Sequence, residues 1–200
     1  MKKIMRTLPA VLIILVIQAG FAQDDYVQQI EQYRAERDQV FQNPETSPIP
    51  ANRTVEMDSL RYFPVDEKYR IDARLMVSDE QPEVLLTTSD GKNASFIKYG
   101  EISFMLDGKS YSLDVYKTGD LADLSWQDET LFVPFTDEES GELGRYVPLE
   151  IPAGGDQTVI DFNKAVNPYA AYNNTYSSPM APGNSMGVGL PVGERKYEDR

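Results

Sequence analysis

Residues 101–116 read EISFMLDGKSYSLDVY, and two alternations either side of Asp107-Gly108 decide the fold class. Ile102, Phe104 and Leu106 alternate with Glu101, Ser103 and Met105; Tyr111, Leu113 and Val115 alternate with Ser112, Asp114 and Tyr116. A period of two puts alternate side chains on one face of a strand. Asp-Gly suits a two-residue turn whose central residues both need positive φ. The stretch predicts a β-hairpin.

The same period recurs outward from it. Residues 69–77, 84–88, 131–135, 145–151 and 158–162 read as strands, and Ser89-Asp90-Gly91 reads as a turn. Residues 188–192 predict a last strand closing the sheet, after a long ordered loop over 163–184 rich in Asn, Pro, Tyr and Ser. Short strands separated by turns predict a mainly β domain, a single antiparallel β-barrel or sandwich. One helix precedes it. Tyr26, Ile30, Tyr33, Arg37 and Phe41 recur three and four apart, and Asn43-Pro44 ends the pattern. The helix and a proline-rich connector fill residues 23–50, the helix lying outside the sheet; the β domain is expected over 51–200.

At the start, Lys2, Lys3 and Arg6 precede an apolar run over 8–17, with Gly20 and Ala22 at the small-residue positions of a cleavage site. This is the pattern of a signal peptide over 1–22. A retained anchor is the alternative, but the run is shorter than the ~20 residues that span a bilayer. The expectation is an exported protein, periplasmic or extracellular, cut after Ala22 and without a membrane span. The cut removes three basic residues and no acidic ones, taking the formal net charge from −13 to −16. Such a surface repels nucleic acid and anionic headgroups, so neither is an expected partner.

The chain has no cysteine and no histidine. The usual zinc, copper and iron sites and histidine-dependent triads therefore have no ligands or base, and no cofactor or metal is expected. Gly183-Asn184-Ser185-Met186-Gly187 spells a nucleophile elbow, which needs a histidine base. Ser95 to Lys98 and Lys117-Thr118-Gly119 mimic penicillin-binding signatures, but the first lies in a strand pattern, where positions three apart face opposite sides. Asp137, Glu138, Glu139 and Glu142 offer hard oxygens for calcium without the EF-hand spacing; a solvated acidic turn is the plainer reading. Asn52, Asn93 and Asn173 begin glycosylation-type tripeptides. Asp161 and Glu194 form the best carboxylate pair for glycoside hydrolysis, a chemistry that needs neither histidine nor metal.

Residues 131–137 (LFVPFTD), Gly144-Arg145-Tyr146, residues 161–165 (DFNKA), Asn167-Pro168, Ala171-Tyr172-Asn173, Pro179, Asn184 and Gly193-Glu194 occur in an order that resembles the bacterial domain of unknown function 1684 family. Tyr62-Phe63-Pro64, residues 88–91 and the hairpin extend the likeness upstream. The resemblance implies a fold unit and an exported bacterial setting without an assigned activity. Two departures from the family pattern stand out: Ala170 and Ser178 occupy positions where the resemblance implies cysteines in many relatives, and the turn before Gly144 is shortened.

The shared residues suggest a polar cluster of Arg145, Tyr146, Asp161, Asn163, Asn167, Tyr172, Asn173 and Glu194. Arg145 and Asp161 are expected to form an ion pair that anchors the loop carrying Asn167 and Tyr172. The cluster either braces that loop or lines a pocket for a small polar ligand. The functional expectation is a small-ligand-binding or interaction module of the bacterial envelope; the alternative is a carboxylate-dependent hydrolase of a glycan or envelope polymer.

Overall fold

The computed structural model describes residues 10–50, 60–117, 131–180 and 183–197, with the side chains of 10–23 left out. A helix, α1 (Ala10–Gln42), precedes seven strands: β1 (Arg70–Val77), β2 (Glu83–Thr87), β3 (Asn93–Leu106), β4 (Lys109–Lys117), β5 (Leu131–Phe135), β6 (Arg145–Leu149) and β7 (Gln157–Asp161). The pairings between these strands are antiparallel, in the order β6-β5-β4-β3-β1-β7. The sheet curls into a half-barrel. The long β3 is its spine: β2 pairs with its first half and β1 with its second. The β3–β4 register slips between Lys98 and Gly100, and a Cβ at Gly100 would collide with the Met76 carbonyl.

The hairpin forms as the sequence predicts. Asp107 and Gly108 have φ of 50° and 76°, and Leu106 pairs with Lys109. Ile102, Phe104, Leu106, Leu113 and Val115 turn into one core with Leu75, Leu131, Val133, Phe135, Val147, Leu149, Ile160 and Phe162. The opposite parity faces outward. Phe132 and Tyr146 on that face join Leu86, Phe96, Tyr116 and Val166 in a second apolar cluster, against which Tyr33 of α1 packs. Phe41 joins Ile49, Leu60, Tyr169 and Tyr172 in a third. The helix thus lies outside the sheet along its predicted stripe: Tyr26, Ile30, Arg37 and Phe41 are each at most 5% exposed.

One expected strand does not form. Residues 188–192 make no ladder, although Val188, Leu190 and Val192 alternate as strand residues do. Their peptide groups are committed elsewhere: Leu190 and Val192 turn their carbonyls onto the Arg145 guanidinium at 2.9 and 2.6 Å. The loop over 163–180 is ordered by two 3₁₀ turns, Phe162–Lys164 and Tyr169–Ala171. Ser178 Oγ accepts from the Ala170 amide at 3.1 Å, so these two loop positions are neighbours.

Candidate functional site

Strand parity splits the predicted cluster in two. Arg145 shares a face with Val147 and Leu149, inside the half-barrel, whereas Asp161 follows the inward Ile160 and points out. The expected Arg145–Asp161 ion pair therefore does not exist. Arg145 is fully buried and pairs with Asp137, Nη2 to Oδ2 at 2.6 Å, with both side chains sealed from solvent. Phe135 lies opposite Arg145 in the β5–β6 register, so Asp137, two residues on, is within reach.

The segment over 190–194 caps that guanidinium. Nη1 donates to the carbonyls of Val192 and Glu194, Nη2 to that of Leu190, and the Leu190 amide donates to Asp137 at 2.9 Å. The Arg145 Cζ sits 5.3 Å from the Phe135 ring centre. Burial pulls the Arg145 pKa down, and Asp137 opposes it. Gly193 allows the wrap: its φ is 72°, and a Cβ there would lie 2.7–2.8 Å from Ala165 and the Phe162 carbonyl. The acidic turn thus loses Asp137 to the interior, and no group of three acidic residues able to hold a metal occurs among the described residues.

The outer half of the cluster is a seam that fastens α1. The Tyr26 hydroxyl lies 3.0 Å from both oxygens of Asp161. Asn163 donates to Asp161 and to the Asp66 carbonyl and accepts from the Asp66 amide at 2.8 Å. Burial and then Asp161 push the Tyr26 hydroxyl well above its usual range. Farther along α1, Arg37 Nε donates to Glu194 at 3.1 Å and Nη2 to the Asn167 carbonyl. Glu194 also accepts from the amide and side chain of Asn167, and burial raises its carboxyl pKa against those donors. The Asn167 amide reaches the Tyr172 hydroxyl, Asn173 donates to the Pro48 carbonyl, and the Tyr146 hydroxyl donates to that of Pro179. Asp161 and Glu194 thus sit in separate, internally bonded clusters. Glu194 is only 1% exposed, and its oxygens accept from Arg37 and Asn167.

The other motifs resolve as structure. Asn184 of the apparent elbow donates to the carbonyls of Asp114 and Pro134, and Met186 is buried in the core. Ser95 bonds to Glu83, while Lys98 pairs with Asp114 at 2.6 Å. Asn52, Thr118 and Gly119 lie outside the described residues. Sequence reasoning missed Arg37 as a cluster member, although a cation inside an apolar helical stripe signals a buried partner. It also gave no role to Arg34 or Tyr62, which share the seam: the Arg34 Cζ lies 4.7 Å from the Tyr62 ring centre.

A half-barrel clamped by an external helix, with Arg37, Asp137, Arg145, Asp161 and Glu194 spent on closure, defines the class of domain. The chain belongs to the family described as Protein of unknown function (DUF1684), whose model matches residues 55–195. It is similar to the uncharacterized protein from gene locus rrnAC0354 of Haloarcula marismortui, solved by solution NMR, with a TM-score of 0.65 and 33% identity over 87% of this chain and 96% of that one. No curated protein matches the chain. Among the described residues, no helix is long and apolar enough to cross a membrane.

Proposed function

We propose that the protein is exported and serves as a small-ligand-binding or interaction module of the bacterial envelope, working through the outer face of β7-β1-β3 rather than through the predicted polar cluster. One observation carries this reading. That face holds an open depression of about 300 Å³, where Asp72, Arg74, Ser103, Ser110 and Gln157 converge beside Ala73, Phe104 and Met105. Ala73 and Phe104 turn their side chains into the core, so the floor is strand backbone beside Met105, and the converging hydrogen-bonding groups are what orient a small polar ligand. Met105 and Val159 are 57% and 38% exposed on the same face. The start of the chain supports export through its basic, apolar and small-residue order. The hydrolase alternative has no geometry behind it, because Asp161 and Glu194 are bonded into separate clusters.

The test is NMR shift mapping with a panel of sugars, amino acids and dipeptides. Shifts should gather on Arg74, Ser103, Ser110 and Gln157, and Ser103→Trp should abolish them. Shifts scattered elsewhere, or unchanged in that variant, would reject the face. Release of soluble fragments from a labelled envelope polymer, lost in both Asp161→Asn and Glu194→Gln, would instead establish the hydrolase.

A further inference from the structure

We propose that Arg34, Arg37 and Tyr62 form a second, separate binding site, for the carboxylate group of a small molecule, at the seam between α1 and residues 61–63. The Arg34 side chain is only 7% exposed, and its Nη1 is used by Glu31 at 3.1 Å. Its other edge, Nε and Nη2, finds no acceptor among the described residues. Those two N–H groups point in parallel and match the two oxygens of one carboxylate. Arg37 spends two donors on Glu194 and Asn167, and its third, Nη1, is buried without an acceptor. The Tyr62 hydroxyl is the fourth such group.

These side chains share one corner. The Arg34 guanidinium lies over the Tyr62 ring, and the Tyr62 backbone bridges that of Glu194, the residue Arg37 holds. Buried polar groups are nearly always paired, so four unmatched groups able to donate in one corner call for an acceptor. Charge selects its kind. Glu194 neutralises Arg37, Asp38 lies within charge reach of both arginines while accepting from the Leu60 amide, and Glu31, the partner of Arg34, is 58% exposed. Little net positive charge is left to match, which rules against a dianionic phosphate and suits a monoanionic carboxylate held by hydrogen bonds.

The probe is sodium acetate, titrated into the exported protein by calorimetry and thermal shift, with sodium chloride at matched ionic strength and inorganic phosphate as controls. Acetate should bind saturably and raise the melting temperature above the chloride control, and phosphate should bind more weakly. Arg34→Lys keeps the charge but loses the fork; it should weaken acetate roughly tenfold or more, the loss of one charge-assisted hydrogen bond. Its melting temperature without acetate should match wild type. Ser103→Trp, on the outer face, should leave acetate affinity unchanged, so this proposal and the preceding one fail separately. Should Arg34→Lys fold poorly, a crystal structure at saturating acetate decides. Acetate on Arg34 Nε and Nη2 supports the site; water alone on that edge overturns it, as does acetate behaving like chloride.

Discussion

Arg145 and Arg34 are both guanidinium groups withdrawn from water, and the fold treats them in opposite ways. Arg145 sits inside the half-barrel, where a segment gives up strand pairing to supply it with three carbonyls and Asp137 a carboxylate oxygen. Arg34 sits at the helix seam over the Tyr62 ring with, among the described residues, one hydrogen-bonding partner, the largely exposed Glu31. A buried cation is tolerated when its desolvation is offset by several acceptors in good geometry. The first site meets most of that demand from within the chain, leaving only Nε of the guanidinium without an acceptor, and is structural. The second leaves it open to a ligand.

The largest effect that can break this contrast is at Arg145. Arg145→Ala strands the Asp137 charge in the core and releases the 190–194 cap, and it should cost roughly 3–5 kcal/mol in urea unfolding. A near-neutral result would mean that the cap holds without its cation. Gly193→Ala attacks the same closure through the backbone: a residue with a Cβ at φ 72° costs on the order of 1–3 kcal/mol before its contacts with Ala165 are counted. Tyr26→Phe should be milder. It removes the hydroxyl from Asp161 but leaves Asn163 in place, an expected loss of about 1.5 kcal/mol for a hydrogen bond to a charged group. A loss as large as that of Arg145→Ala would put the main clamp at the seam.

The smallest effect is at an exposed carboxylate. Bonds from Lys92, Thr88 and Ser177 hold Asp90 well below its usual 3.8. Because the folded value is depressed, its stabilisation is complete above pH 3.8 and fades as pH falls below that. Asp90→Asn should lower the melting temperature slightly above pH 3.8 and not in strong acid, so that the two profiles converge as pH falls and the variant's acid limb is the flatter.

The hairpin and the other predicted strands except 188–192 were legible because alternation and turn chemistry are local. The helical stripe was legible for the same reason. Residues 188–192 misled because Leu190 and Val192 bury their side chains, and Val188 partly so, as strand residues do, while the Leu190 and Val192 carbonyls serve Arg145 instead of a neighbouring strand. The wrong partner for Arg145 was avoidable. Ile160 inward makes Asp161 outward, and Val147 with Leu149 makes Arg145 inward, so parity alone separates the two. Asp137, beyond the strand that pairs with β6, was the nearer carboxylate. The open edge of Arg34 was not legible, since an arginine between the stripe positions Tyr33 and Arg37 looks like an ordinary surface cation until Tyr62 packs beneath it.

The account's central claim is that Arg145 is spent on closing the half-barrel with Asp137. A double-mutant cycle on unfolding free energy tests it most directly, using Arg145→Met with Asp137→Asn and, in parallel, Arg145→Met with Asp161→Asn. The account predicts strong coupling in the first cycle, the double variant costing far less than the sum of the singles, and additivity within about 0.5 kcal/mol in the second. Additivity between Arg145 and Asp137, or strong coupling between Arg145 and Asp161, would contradict it.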